Sequence, residues 1–202
     1  MSERGEGGRH DRRESISHGE RVTLLRIARD SLESWVRHGE RSDLIHARDE
    51  MTLRLRRPSG CFVTLHKRGR LRGCVGDIQP ERPLYQVVRE RAISAASHDS
   101  RFPPVTPDEL NQIDIELSVL TRPRRVSGHQ EIELGRHGII MTKGSQRAVF
   151  LPQVPLQQGW DVNETLDQLA RKAGLSENAR HDGSTLEVFE ALILKEDSTE
   201  EV

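Results

Sequence analysis

A chain of 202 residues has room for one sizeable core or two small lobes sharing a cleft. With 31% charged residues and a mean hydropathy of −0.67 it reads as water-soluble, and no apolar run nears the roughly 20 residues that span a bilayer. A net charge of −1 and 3% aromatic residues make no global case for nucleic acid, which stays a possible ligand that charge does not support.

Met1 to Ser15 is Gly, Arg and Glu with almost nothing apolar, and predicts a disordered tail. Its polar start is unlike a secretory signal, so a chain with two cysteines is expected in the reducing cytoplasm. The folded part is expected over residues 16–195, with an acidic tail over 196–202. Ser17 followed by Glu20 is a capping box, and Val22, Leu25, Ala28, Leu32 and Trp35 continue it as a helix that Gly39 ends. Arg41 to Arg57 has no clean period and predicts a loop with a short helical turn, extended before Pro58.

Gly60 to His66 and Arg70 to Gly76 form a hairpin around Lys67, Arg68 and Gly69. A three-residue loop pairs His66 with Arg70. One face then carries Cys61, Val63, Leu65, Leu71, Gly73 and Val75, and the other Phe62, Thr64, His66, Arg70, Arg72 and Cys74. Cys61 is thereby assigned to the core and Cys74 to a mixed, polar face beside Arg72. Two cysteines pointing apart cannot form a disulfide, so both thiols are expected free. A neighbouring guanidinium favours thiolate and would activate Cys74, whereas in the bland alternative Cys74 only packs.

Pro83 opens a second helix, Leu84 to about His98, whose stripe is Leu84, Val87, Val88, Ala92 and Ala95. His98, Asp99, Ser100, Arg101 and Phe102 lead into Pro103 and Pro104, which force extended backbone. Thr106 and Glu109 form a second capping box before a brief helix. Ile113 to Val119 alternates as a half-buried strand with Asp114, Glu116 and Ser118 on its non-core face. Thr121 to Gln130 predicts an Arg-rich loop, and Ile132–Leu134, Gly138–Thr142 and Arg147–Leu151 predict short strands. Pro152 to Pro155 breaks the sheet before a helix capped by Asn163, with a stripe of Leu166, Leu169 and Ala170. Ser176 to Gly183 is read as loop and Thr185 to Leu194 as a last strand. The fold class is α+β, an antiparallel sheet flanked by helices, with no nucleotide fingerprint.

The stretches GCFVTLHKRGRLRGCVGDIQP from Gly60, SHDSRFPPVTPDEL from Ser97, IDIELSVLT from Ile113, IELGRHGIIMTKG from Ile132 and VFLPQVPLQQGWD from Val149 resemble the AMMECR domain family, which includes AmmeMemoRadiSam system protein A. The resemblance covers roughly residues 20–195. It implies two lobes with the LRGC segment in a groove between them, partnership with a Memo-like protein and a radical SAM enzyme, and a role in RNA or protein modification. Val75 stands where the family commonly has Ile, and Ser176 to Arg180 lacks a Trp often found there.

Cys74 is the candidate nucleophile of a Cys-dependent enzyme or enzyme subunit, His98 its candidate base with Asp99 to orient the ring, and Glu116 a candidate acid or base. Arg72, Gly73, Asp99, Arg101, Gln153 and Trp160 are the candidate groove-lining residues. His98 capping its own helix and an Asp99–Arg101 pair that is purely structural are the competing readings. Cys74, His98, Glu116 and His137 could gather round a metal only through tertiary folding, and no local ligand pair supports it, so neither metal nor cofactor is assigned. The alternative to an enzyme is a non-catalytic adaptor that binds a ligand or peptide in the same groove.

Overall fold

The computed structural model describes residues 15–43, 50–79, 81–176 and 183–196. Most of the expected N-terminal tail, the 177–182 part of the Ser176–Gly183 loop and residues 197–202 of the acidic tail lie outside the described residues. The chain forms two compact units, one from residues up to Val119 and from Leu192 onward, the other from Leu120 to Ala191.

The first unit begins with α1 (His18–His38). Ser17 and Glu20 close both halves of the capping box, the Glu20 N–H donating to Ser17 Oγ and the Ser17 N–H to Glu20 Oε2. Gly39 ends the helix at a φ of 69°, where a residue with a Cβ would be strained. Its buried face is Leu24, Leu25, Ile27, Ala28 and Leu32, while Val22, expected inside, is exposed. A single helical turn, α2 (Leu53–Arg56), follows. Then come β1 (Cys61–Lys67), β2 (Arg70–Asp77), α3 (Leu84–Ser97), a 3-10 turn (Pro107–Gln112) and β3 (Ile113–Leu120). β8 (Ala191–Lys195) completes an antiparallel sheet in the order β2-β1-β3-β8. Cys61, Val63 and Leu65 of β1 and Ile113, Ile115, Leu117 and Val119 of β3 face α1 and α3 in one apolar core. Glu196 locks the end of β8 by accepting from the Ile115 N–H and pairing with Arg29.

The hairpin differs from the expected three-residue loop. Arg68 and Gly69 both have positive φ, 51° and 72°, so the turn has two residues and Lys67 pairs with Arg70. A bulge then intervenes, because His66 pairs with Leu71 but Leu65 pairs with Gly73. Arg72 is the extra residue. The bulge restores the parity that the sequence favoured, so Thr64 opposes Cys74 and Val63 opposes Val75. Leu71, expected in the core, is opposite His66 and 42% exposed.

The second unit contains β4 (Arg124–Arg125), a 3-10 turn (His129–Glu131), β5 (Gly138–Lys143), β6 (Gln146–Phe150), α4 (Gln153–Gln158), α5 (Val162–Lys172) and β7 (Thr185–Phe189). Its antiparallel sheet runs β4-β7-β5-β6, and Leu166, Leu169 and Ala170 of α5 close the core over Ile139, Met141 and Ala148. Five expectations need correction here. The Arg-rich loop contains β4, which pairs with β7; Ile132–Leu134 is irregular chain rather than a strand, with Ile132 buried in the core and Leu134 packed against it. Asp161, not Asn163, caps α5 by accepting from the Glu164 N–H, and α4 occupies the segment read as a break. The expected last strand divides at Glu190 into β7 and β8, which belong to different sheets.

Candidate functional site

β2 is an edge strand, and Cys74 sits where its backbone N–H and C=O both point off the sheet. The loop after α3 takes both. The Cys74 N–H donates to Asp99 Oδ2 at 2.8 Å, and Arg101 Nη2 donates to the Cys74 carbonyl at 3.2 Å. Asp99 and Arg101 are themselves paired, Nη2 to Oδ2 at 2.6 Å and Nε to Oδ1 at 2.9 Å. A carboxylate and a guanidinium thus occupy the positions that a neighbouring strand's carbonyl and amide would take. Arg101, first of all, then the Cys74 N–H, holds the Asp99 carboxyl well below the usual carboxylate range although burial opposes this.

The thiol is half-buried, and Thr64 Oγ1 donates to Cys74 Sγ at 3.3 Å. Thr64 also opposes Glu116 on β3, so Cys74, Thr64 and Glu116 form one row across the non-core face. Two strand spacings separate the ends of that row by about 10 Å of backbone. Among the described residues no hydrogen bond joins Glu116 to the sulfur, and Lys195 Nζ pairs with its Oε2 at 3.1 Å. Cys61 lies on the opposite face and is fully buried, and both thiols are free. Burial, first, and the Asp77 charge push the Cys61 thiol far up, which leaves it inert.

Arg72 does not flank the sulfur as expected. As the bulged residue it turns to Glu109, with Nε to Oε1 at 3.0 Å and Nη2 to Oε2 at 2.9 Å, and donates to the carbonyls of Pro103 and Pro104. Glu109 also accepts from Lys67 Nζ and from the Thr106 N–H of its own capping box. Its carboxyl is held well below the usual range by Arg72 foremost and by Lys67 and Thr106. Gly73 has a packing reason to be glycine: a Cβ there would stand 2.1 Å from the backbone oxygen of Ala95 in α3.

His98 caps α3, its N–H donating to the Ser94 carbonyl, and its Nδ1 shares a 2.7 Å hydrogen bond with Ser97 Oγ. Among the described residues no hydrogen bond joins it to Cys74 or Asp99, so the expected Cys–His–Asp relay is not assembled. Gln153 and Trp160 belong to the second unit, Gln153 exposed at the start of α4 and Trp160 tilted against Phe150 at 5.6 Å between centroids. His137 is buried there as a neutral ring whose Nδ1 accepts the Glu133 N–H. Among the described residues no group of three or more His, Cys, Asp or Glu is placed to hold a metal ion. Sequence reasoning missed Thr64 as the partner of the sulfur and Glu109 as the partner of Arg72. A two-residue turn at Arg68–Gly69 alone would set Thr64 opposite Gly73, so the first depends on the bulge at Arg72, and nothing local leads to the second.

The AMMECR1 family model matches residues 25–194. A protein from Methanothermobacter thermautotrophicus is 40% identical over 90% of this chain and 97% of its own length. One from Methanopyrus kandleri is 38% identical over 90% of this chain and 94% of its own. Among solved structures, the uncharacterized protein PH0010 from Pyrococcus horikoshii is 34% identical, with a TM-score of 0.74 over 86% of this chain and 90% of that one. No helix among the described residues is long and apolar enough to cross a membrane.

Proposed function

This chain belongs to the AMMECR1 family, and on that premise we propose that it is an enzyme subunit whose reacting group is the Cys74 thiol. It works in the cytoplasm with a Memo-like protein and a radical SAM enzyme, on an RNA or protein substrate. The observation that carries this reading is the clamp on Cys74: Asp99 and Arg101 fix both its backbone groups and Thr64 holds its sulfur, yet the thiol stays partly open. A residue kept only for packing needs no such frame.

The reading is a subunit rather than a self-sufficient enzyme because a thiol nucleophile needs a base within reach. His98 is turned to Ser97, and Glu116 is a strand too far and paired with Lys195. The proton of Cys74 therefore leaves to a base on the substrate or the partner. That same shortage favours the second reading, an adaptor without chemistry.

Replacing Cys74 by Ser in the host organism's own copy separates the two. The subunit reading predicts that C74S still co-purifies with the Memo-like protein but behaves in the cell like a deletion. Cells carrying C74S that match the wild type would leave the adaptor.

A further inference from the structure

We infer that Arg101 selects the substrate of Cys74, favouring an electrophile that carries a carboxylate beside its reacting carbon. This rests on the thiol reading above and adds the charge of what the thiol meets. The Asp99–Arg101 pair is an oriented one. Asp99 is 7% exposed and turns its oxygens onto the Cys74 and Arg101 N–H groups, while Arg101 is 54% exposed. The positive end therefore faces outward, next to the residue that bears the thiol.

Nε and Nη2 of Arg101 are spent on Asp99 and on the Cys74 carbonyl, but Nη1 has no hydrogen-bond partner among the described residues. The guanidinium lies 5.5 Å from the centre of the Phe102 ring, a contact that further restricts it. Arg72 offers no such edge, being 12% exposed with its donors taken by Glu109 and two prolyl carbonyls. Because Asp99 neutralises the pair as a whole, only the outward edge of the guanidinium attracts an anion, and it suits a weakly charged one. A carboxylate fits this better than a phosphate dianion.

The test compares iodoacetate with iodoacetamide on the full chain, with 2-mercaptoethanol as the unperturbed thiol. In both reactions the thiolate electron pair forms the Sγ–C bond and iodide leaves with the C–I pair, so any change in thiolate fraction cancels in the ratio of rates. The iodoacetate-to-iodoacetamide ratio at Cys74 is expected to exceed that of 2-mercaptoethanol by about threefold to tenfold, the size of one partly solvated charge nearby. R101Q brings it down to the reference, and R101K, which keeps the charge, holds it above R101Q. Salt tests the wild type without any variant: the excess must vanish by about 1 M, where screening acts within a few ångströms. A wild-type ratio equal to the reference, a ratio that R101Q leaves unchanged, or an excess indifferent to salt overturns the inference. A wild-type-like cell with C74S would instead remove the thiol reading and leave this ratio standing as a property of the surface.

Discussion

Glu109 is 8% exposed and its carboxylate serves Arg72, Lys67 and Thr106 together, which ties the hairpin to the 3-10 turn before β3. Removing the carboxylate leaves the largely buried Arg72 uncompensated, so Glu109→Gln is expected to cost about 3 kcal/mol at neutral pH. The sign of its pH dependence follows from the depressed carboxyl. Its contribution is complete above the ordinary value of 4.5 and disappears as pH falls through the lower folded-state value. The stability gap between wild type and E109Q, measured by urea unfolding, should therefore be constant from pH 7 to about 5 and narrow on further acidification. A gap that widens in acid would show that Glu109 is not ionised against Arg72.

At the scale of elements, β2 and α3 touch backbone to backbone at Gly73 and Ala95. Gly73→Ala must push one of them aside, and about 3 kcal/mol of destabilisation is expected, read as a lowered urea midpoint with an unchanged slope. An unaffected midpoint would mean that β2 does not lie that close to the helix. The hairpin also shows how far sequence reaches. Period-two alternation assigned Cys61 and Cys74 to opposite faces, because burying Val63, Leu65 and Val75 together leaves no other solution. Loop length was misread since a two-residue turn alone mixes the faces, and the bulge that repairs the mixture leaves no mark in composition. Its consequence, Arg72 released toward Glu109, joins residues 37 apart, beyond what spacing along a chain reveals. The Asp99–Arg101 pair was visible because it is local. Its grip on the Cys74 backbone depends on β2 being an edge, which is a property of the sheet.

At the scale of the molecule, the second unit is inserted into the first: the chain leaves the first sheet at the end of β3 and re-enters it at β8. The two crossings are fastened together, the Thr121 N–H donating to the Glu190 carbonyl and the Glu190 N–H to Thr121 Oγ1. Each unit has its own core and its own tryptophan, Trp35 in the first and Trp160 in the second. Residues 120–191 alone are expected to fold and to unfold cooperatively as followed by Trp160 fluorescence, and a fragment without a cooperative transition would contradict independent cores. The chain also has only two thiols, and chemistry at Cys74 requires that they differ in reactivity. Site-resolved mass spectrometry of the native chain during alkylation tests this most directly. The prediction is that Cys74 is modified while Cys61 stays intact until the protein is unfolded; labelling of Cys61 in step with Cys74, or of neither before unfolding, would contradict it.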